Sequence, residues 1–206
     1  MIFLSASIPV SGRPFGEDSR PEEIKKAVRA FVSVCLEQRR AFYFGGHPSI
    51  TPVVEEATMS APEKSRELIT LYQSAVFGVC EADSPLRTVI TEAAVAVSEL
   101  KREQKPIQPE LIALSVELMR RRMFKDHPDT DAAVFIGGMD GILVERELLL
   151  EYCPNARLLP LPDTGGATAY LYGRLSPKEA LLSGHDYERF FKTLLDVGME
   201  RGRTNA

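Results

Sequence analysis

Four short stretches of this 206-residue sequence combine small residues in a way that suits a ligand. They are Ser5-Ala6-Ser7, Gly45-Gly46-His47, Gly137-Gly138-Met139-Asp140-Gly141 and Asp163-Thr164-Gly165-Gly166. Where side chains are small, backbone N–H groups can approach an anion, and a helix starting just beyond aims its positive end at the same place. A phosphate-bearing ligand fits such turns. Any single Gly-Gly pair serves equally well as a tight corner, so it is the recurrence at four strand ends that points to a pocket. The candidate binding residues are therefore Ser5, Ser7, Gly45, Gly46, His47, Gly137, Gly138, Asp140, Gly141, Thr164, Gly165 and Gly166.

Charged residues near these turns suggest a reaction. Cleavage of an N-glycosidic bond passes through an oxocarbenium-like state, which a nearby carboxylate stabilises. Glu145 and Glu147 both lie just beyond the third turn. Two positions apart on a helix they face about 200° apart, so only one can enter the pocket. A carboxylate at a helix start also interacts with the dipole for a few tenths of a kcal/mol, with no further role. The run Arg120-Arg121-Arg122 offers a guanidinium fork for a phosphate, or forms the solvated basic end of a helix. His47 either bonds a ligand hydroxyl or phosphate or caps the next helix. Tyr72 and Gln73 are placed to meet a base or ribose, with core packing the stronger reading for Tyr72. Met119 and Met123, at helical spacing, read as core.

These residues must be positioned by regular elements. Ile2 to Ser7 and Ala41 to Phe44 are apolar runs that read as strands, with a helix from Pro21 to the basic Arg39 and Arg40 between them. Leu68 to Tyr72 and Arg87 to Thr91 follow as strands, although Val89 to Val97 also fits the start of a helix. A long amphipathic helix begins at Pro109 and ends near the arginine run. Ala132 to Ile136 is a strand, Gly141 to Cys153 a helix, Arg157 to Leu161 a strand, and Gly166 to Tyr172 and Tyr187 to Met199 are helices. Helices alternating with continuous apolar strands predict one α/β domain over residues 1–206, Rossmann-like, with a mainly parallel sheet covered by helices on both faces. In such sheets a ligand sits beyond the carboxyl ends of the strands.

Composition narrows the function. With 44% hydrophobic residues and 26% charged ones, the chain can bury a core without disulfides or metal. A net charge of -4 argues against extended DNA or RNA as a partner. Cys35, Cys80 and Cys153, and His47, His127 and His185, are scattered without metal-ligand spacing, so no metal site and no cofactor are expected. The cysteines read as buried thiols of a reducing cytoplasm. No stretch reaches the length of about 20 apolar residues that spans a bilayer, and the first residues lack a basic leader, so a cytoplasmic protein is expected. Neither GxGxxG, GxxxxGK[ST] nor GxSxG occurs, which disfavours a dinucleotide fingerprint, a P-loop and a serine nucleophile elbow.

The succession IFLSAS, AFYFGGHPSITPVV, ELMRRRM and AAVFIGGMDGILVERELL resembles the SLOG superfamily, and within it SLOG cluster 3, up to about Tyr172. Better-known relatives are the Lonely Guy phosphoribohydrolases, which carry the turn PGGxGTxxE. On that pattern Gly137 and Gly138 match the paired glycines, Gly141 the third glycine, and Glu145 the catalytic glutamate, with one residue inserted near Asp140. Arg120 matches the arginine that helps hold the sugar phosphate. The sequence departs from the pattern where Ile142 stands in place of the phosphate-binding Thr and Phe135-Ile136 in place of a Pro. The resemblance implies binding of a nucleotide-derived or NAD-derived ligand, proposed for this family in bacterial conflict and antiviral defence. The alternative it implies is hydrolysis or transfer of a nucleotide's N-glycosidic bond. It also implies a homodimer or higher homo-oligomer.

Overall fold

The structure, a computed structural model, describes residues 1–77, 86–93, 95–173 and 186–203. Cys80 and His185 lie outside these residues. The strands are β1 (Ile2–Ser7), β2 (Phe42–Phe44), β3 (Ile69–Ser74), β4 (Arg87–Thr91), β5 (Ala132–Gly137) and β6 (Arg157–Leu161). They form one sheet in the order β4-β3-β2-β1-β5-β6, with every neighbouring pair parallel. The chain steps outward from β1 to β4, then returns to place β5 on the other side of β1. That reversal puts the topological switch point at β1 and β5, and ligands of such sheets bind beyond the carboxyl ends of the strands there.

Seven α-helices are described: α1 (Pro21–Glu37), α2 (Thr51–Met59), α3 (Val95–Arg102), α4 (Pro109–Asp126), α5 (Asp140–Tyr152), α6 (Gly166–Tyr172) and α7 (Tyr187–Arg203). Alternate residues of the central strands enter two separate cores. Ile2, Leu4, Val134 and Ile136 pack with Ile24, Phe31 and Phe191 from α1 and α7 on one face. Phe3, Tyr43, Ala133 and Phe135 pack with Met119, Phe124 and Leu149 from α4 and α5 on the other. Strands buried on both faces explain why β1 and β5 read as unbroken apolar runs.

The differences from the sequence reading are local. The first helix stops at Glu37, short of Arg39 and Arg40, because Arg39 takes φ 54° and the Arg40 N–H turns back to Cys35 O at 2.7 Å. Helix α2 is the helix after His47, whose bounds could not be read from the sequence because Pro52, Val53, Val54 and Thr58 are weak helix formers in so short a segment. Strand β4 and helix α3 resolve the ambiguity over Val89 to Val97, the strand ending at Thr91 and the helix starting at Val95. Strand β3 runs on to Ser74, so Tyr72 lies inside the strand rather than at its end. Among the described residues no helix is long and apolar enough to cross a membrane.

Candidate functional site

Three elements converge on one carboxylate beyond the strand ends. Ser5 Oγ on β1 donates to Glu145 Oε2 at 2.5 Å, and Arg120 Nε on α4 donates to Glu145 Oε1 at 3.0 Å. Glu145 sits in the second turn of α5, with its side chain 15% exposed and that of Arg120 19% exposed. Glu147 on the same helix is exposed, as the angle between the two predicted. Both oxygens of Glu145 are thus held from opposite sides. A charge pair so withdrawn from water adds little net stability compared with apolar residues of the same size, so its placement beyond the strand ends has to be explained by what it meets there.

Two glycines frame this cluster by close approach. A Cβ on Gly45 would stand 3.4 Å from Met119 Cε and 4.0 Å from Glu145 Oε1, so the turn after β2 is a wall of the site, and Met119 is both core and wall. A Cβ on Gly141 would stand 2.7 Å from Arg120 Nη2. The guanidinium therefore lies across the first turn of α5. Its Nε bonds Glu145, and its Nη2 lies against Gly141 at the start of the helix. Arg121 pairs with Glu117 and Glu151, and Arg122 with Asp126, so of the arginine run Arg120 alone turns to the cluster.

The second glycine turn works differently from what its composition suggests. Gly137 N–H donates to Thr164 Oγ1 at 2.8 Å and Gly138 N–H to Ser7 O at 2.8 Å, while Gly138 O accepts from Ala167 N–H at 2.9 Å. These two amides are spent inside the protein. Gly138 has φ 84° and a Cβ there would meet Ile142 Cδ1 at 1.8 Å, so the hydrocarbon of Ile142, the residue that departs from the pattern's Thr, covers the glycine. Among the described residues the Met139, Asp140 and Gly141 amides at this helix start bond no acceptor, and they lie beside the exposed Asp140 carboxylate.

The remaining candidates serve the frame of the site. Thr164 is fully buried, and its Oγ1 both accepts from Gly137 and donates to Leu161 O at 2.6 Å. Gly165 N–H bonds Pro162 O at 2.9 Å, and Gly166 lies against the backbone of Gly137 and Gly138. Gly46 packs on β3, where a Cβ would meet Leu71 Cδ1 at 2.5 Å. His47 caps α2 through its carbonyl, which accepts from Ile50 N–H and Thr51 N–H, both at 2.9 Å. Its ring bonds Ser49, a residue that nothing in the local pattern singled out. Tyr72 is buried, its hydroxyl between Asp126 and His127 at 3.1 Å each, and its pKa is pushed up to about 12 by burial and the Asp126 charge. The Gln73 side chain flanks Gly46, with its Cγ 3.3 Å from the Cβ position there.

A parallel sheet with a reversal in strand order and helices on both faces defines a Rossmann-like α/β protein, with the paired Arg120 and Glu145 beyond its strand ends. The SLOG cluster3 family matches residues 15–195, and the chain belongs to that family. The match begins after β1 and extends past Tyr172 into α7, farther toward the carboxyl end than the motifs alone suggested. No curated protein matches the chain significantly. Among solved structures, the X-ray structure of TM1055, a Northeast Structural Genomics Consortium target, is similar in fold, with 13% identity and a TM-score of 0.52 over 90% of this chain and 87% of that one. Family membership supports a nucleotide-related function in general terms.

Proposed function

We propose that the chain binds a nucleotide-derived or NAD-derived small ligand, with the sugar over the Ser5, Glu145 and Arg120 cluster. The observation that carries this is the Arg120 guanidinium, fixed to Glu145 through Nε with its Nη2 against Gly141 at the start of α5. In that position the guanidinium can take a phosphate oxygen together with the open amides of Asp140 and Gly141. Glu145 then faces the sugar or its hydroxyls. Sensing of such a ligand in a bacterial defence system, in the cytoplasm, is the role we assign. Thermal unfolding with AMP, NAD, ADP-ribose and cyclic ADP-ribose tests it, because a ligand bound only by the folded state raises the unfolding temperature. A rise with at least one is expected, and none with any would oppose the reading.

A second reading is favoured by the fixed carboxylate itself. A Glu145 held by two donors is preorganised to stabilise an oxocarbenium-like sugar, as N-glycosidic cleavage requires. Chromatography of AMP and NAD after incubation decides between binding and cleavage. Free base that disappears with Glu145→Gln establishes cleavage, and unchanged substrates leave binding alone. We further propose that two copies associate through α4 and α5, whose Leu114, Leu118 and Val144 are 46%, 43% and 41% exposed beside the site.

A further inference from the structure

We propose that His47 is a fixed hydrogen-bond donor that meets an uncharged acceptor on the sugar and base part of the ligand, and that Ser49 is its positioning residue. The proposal rests on the nucleotide-derived ligand argued above.

The hydrogen bonds around the ring settle where its proton is. Ile8 N–H donates to Ser49 Oγ at 3.0 Å, so the Ser49 hydroxyl proton points elsewhere. Its neighbour at 2.7 Å is His47 Nδ1, and the backbone N–H of Ser49 is directed at the same nitrogen at 3.2 Å. A nitrogen that accepts the Ser49 amide proton carries none of its own, and the Ser49 hydroxyl is then free to donate to it as well. The ring proton therefore resides on Nε2. Burial lowers the His47 pKa, with the Glu145 charge acting against it, so the ring is neutral near pH 7. Its Nε2–H makes no hydrogen bond to a described residue.

The placement of this donor gives it a use. His47 follows Gly45-Gly46, the turn that walls the Glu145 carboxylate, and Glu145 is the charge acting on the ring. Ile8, which locks Ser49, follows directly on the strand that carries Ser5. The segments after β1 and β2 thus fix the ring next to the turn that approaches the Glu145 carboxylate. A neutral imidazole offers one directed N–H and no charge. It selects an acceptor atom, a ribose hydroxyl oxygen or a ring nitrogen of the base, and gives a phosphate no cation. Charge for a phosphate comes from the Arg120 side.

Long-range ¹H–¹⁵N NMR of the free protein reads the first half of the inference. An unprotonated Nδ1 and a protonated Nε2 are expected at neutral pH, with Ser49→Thr keeping that state and Ser49→Ala giving a mixture of tautomers. A ring protonated at Nδ1 in the wild type overturns the proposal. Calorimetry with AMP, its 2′-deoxy and 3′-deoxy forms, and ribose 5-phosphate reads the second half. His47→Ala should weaken AMP about tenfold, and His47→Gln, which keeps an N–H, should recover part of the loss. If the penalty vanishes for a deoxy form, the acceptor is that hydroxyl, and if it vanishes for ribose 5-phosphate, the acceptor is on the base. AMP binding undiminished in His47→Ala contradicts the proposal. Absence of binding by the wild type would instead refute the nucleotide reading and the ligand half of this inference, while the ring state in the free protein keeps the two failures apart.

Discussion

At Gly141 a methyl group would stand 2.7 Å from Arg120 Nη2, the far end of a flexible side chain. Gly141→Ala should therefore move the guanidinium instead of unfolding the helix. Alanine is the better helix former, so we expect stability unchanged or raised by up to about 1 kcal/mol, with ligand binding about tenfold weaker by calorimetry. Thr164→Val tests the opposite kind of residue. It keeps the shape but leaves the buried Gly137 N–H without its partner, at a cost of about 1–3 kcal/mol in urea unfolding. Sequence composition could not separate these two roles. Gly137 and Gly141 look alike in the chain, yet one spends its amide on Thr164 and the other makes room for Arg120, a difference set by partners 27 and 21 positions away. Helical geometry allowed only one of Glu145 and Glu147 to face the strand ends and the family pattern chose between them, and it is Glu145 that meets Ser5 and Arg120 while Glu147 is exposed. Ser49 was not, because its importance comes from Ile8, which is 41 positions distant.

Each strand-end turn depends on the element that packs against it. Gly165 joins β6 to α6 with φ 69°, and a Cβ there would stand 1.9 Å from the backbone carbonyl of Asp18 in the segment leading to α1. Neither the conformation nor the contact can yield cheaply. Gly165→Ala is expected to lower stability by more than about 2 kcal/mol in chemical unfolding, and a loss within experimental error would show that this segment moves freely. Strands β2 and β5 were readable because burial on both faces makes them continuous apolar runs, whereas β4, with Arg87 and Ile90 exposed, could not be told from the start of a helix. The bounds of helix α2 were hidden, since Thr51–Met59 mixes proline and β-branched residues and gains its helical state from the cap at His47 and from packing of Val53 and Val54.

For the molecule as a whole, two half-buried rings set a pH dependence. Burial is the main cause that lowers the pKa of both His47 and His127. As pH falls past about 6.5 the unfolded chain takes up these protons first, so the stability is fully present above that value and lost below it. The urea midpoint should drop between about pH 7.5 and about pH 5.5, and His127→Gln should flatten the change. A flat wild-type profile would oppose the burial of the rings. Association through α4 and α5 predicts that Leu118→Glu yields monomers in sedimentation, and a wild type already monomeric at high concentration removes that proposal. The central claim is that a nucleotide-derived ligand binds where Arg120 crosses the start of α5. Calorimetric titration of wild type, Arg120→Ala and Gly141→Ala with ADP-ribose and AMP tests it most directly. Binding by the wild type that weakens about tenfold or more in both variants is predicted, whereas equal affinity in all three proteins, or no binding by the wild type up to about 1 mM, would contradict it.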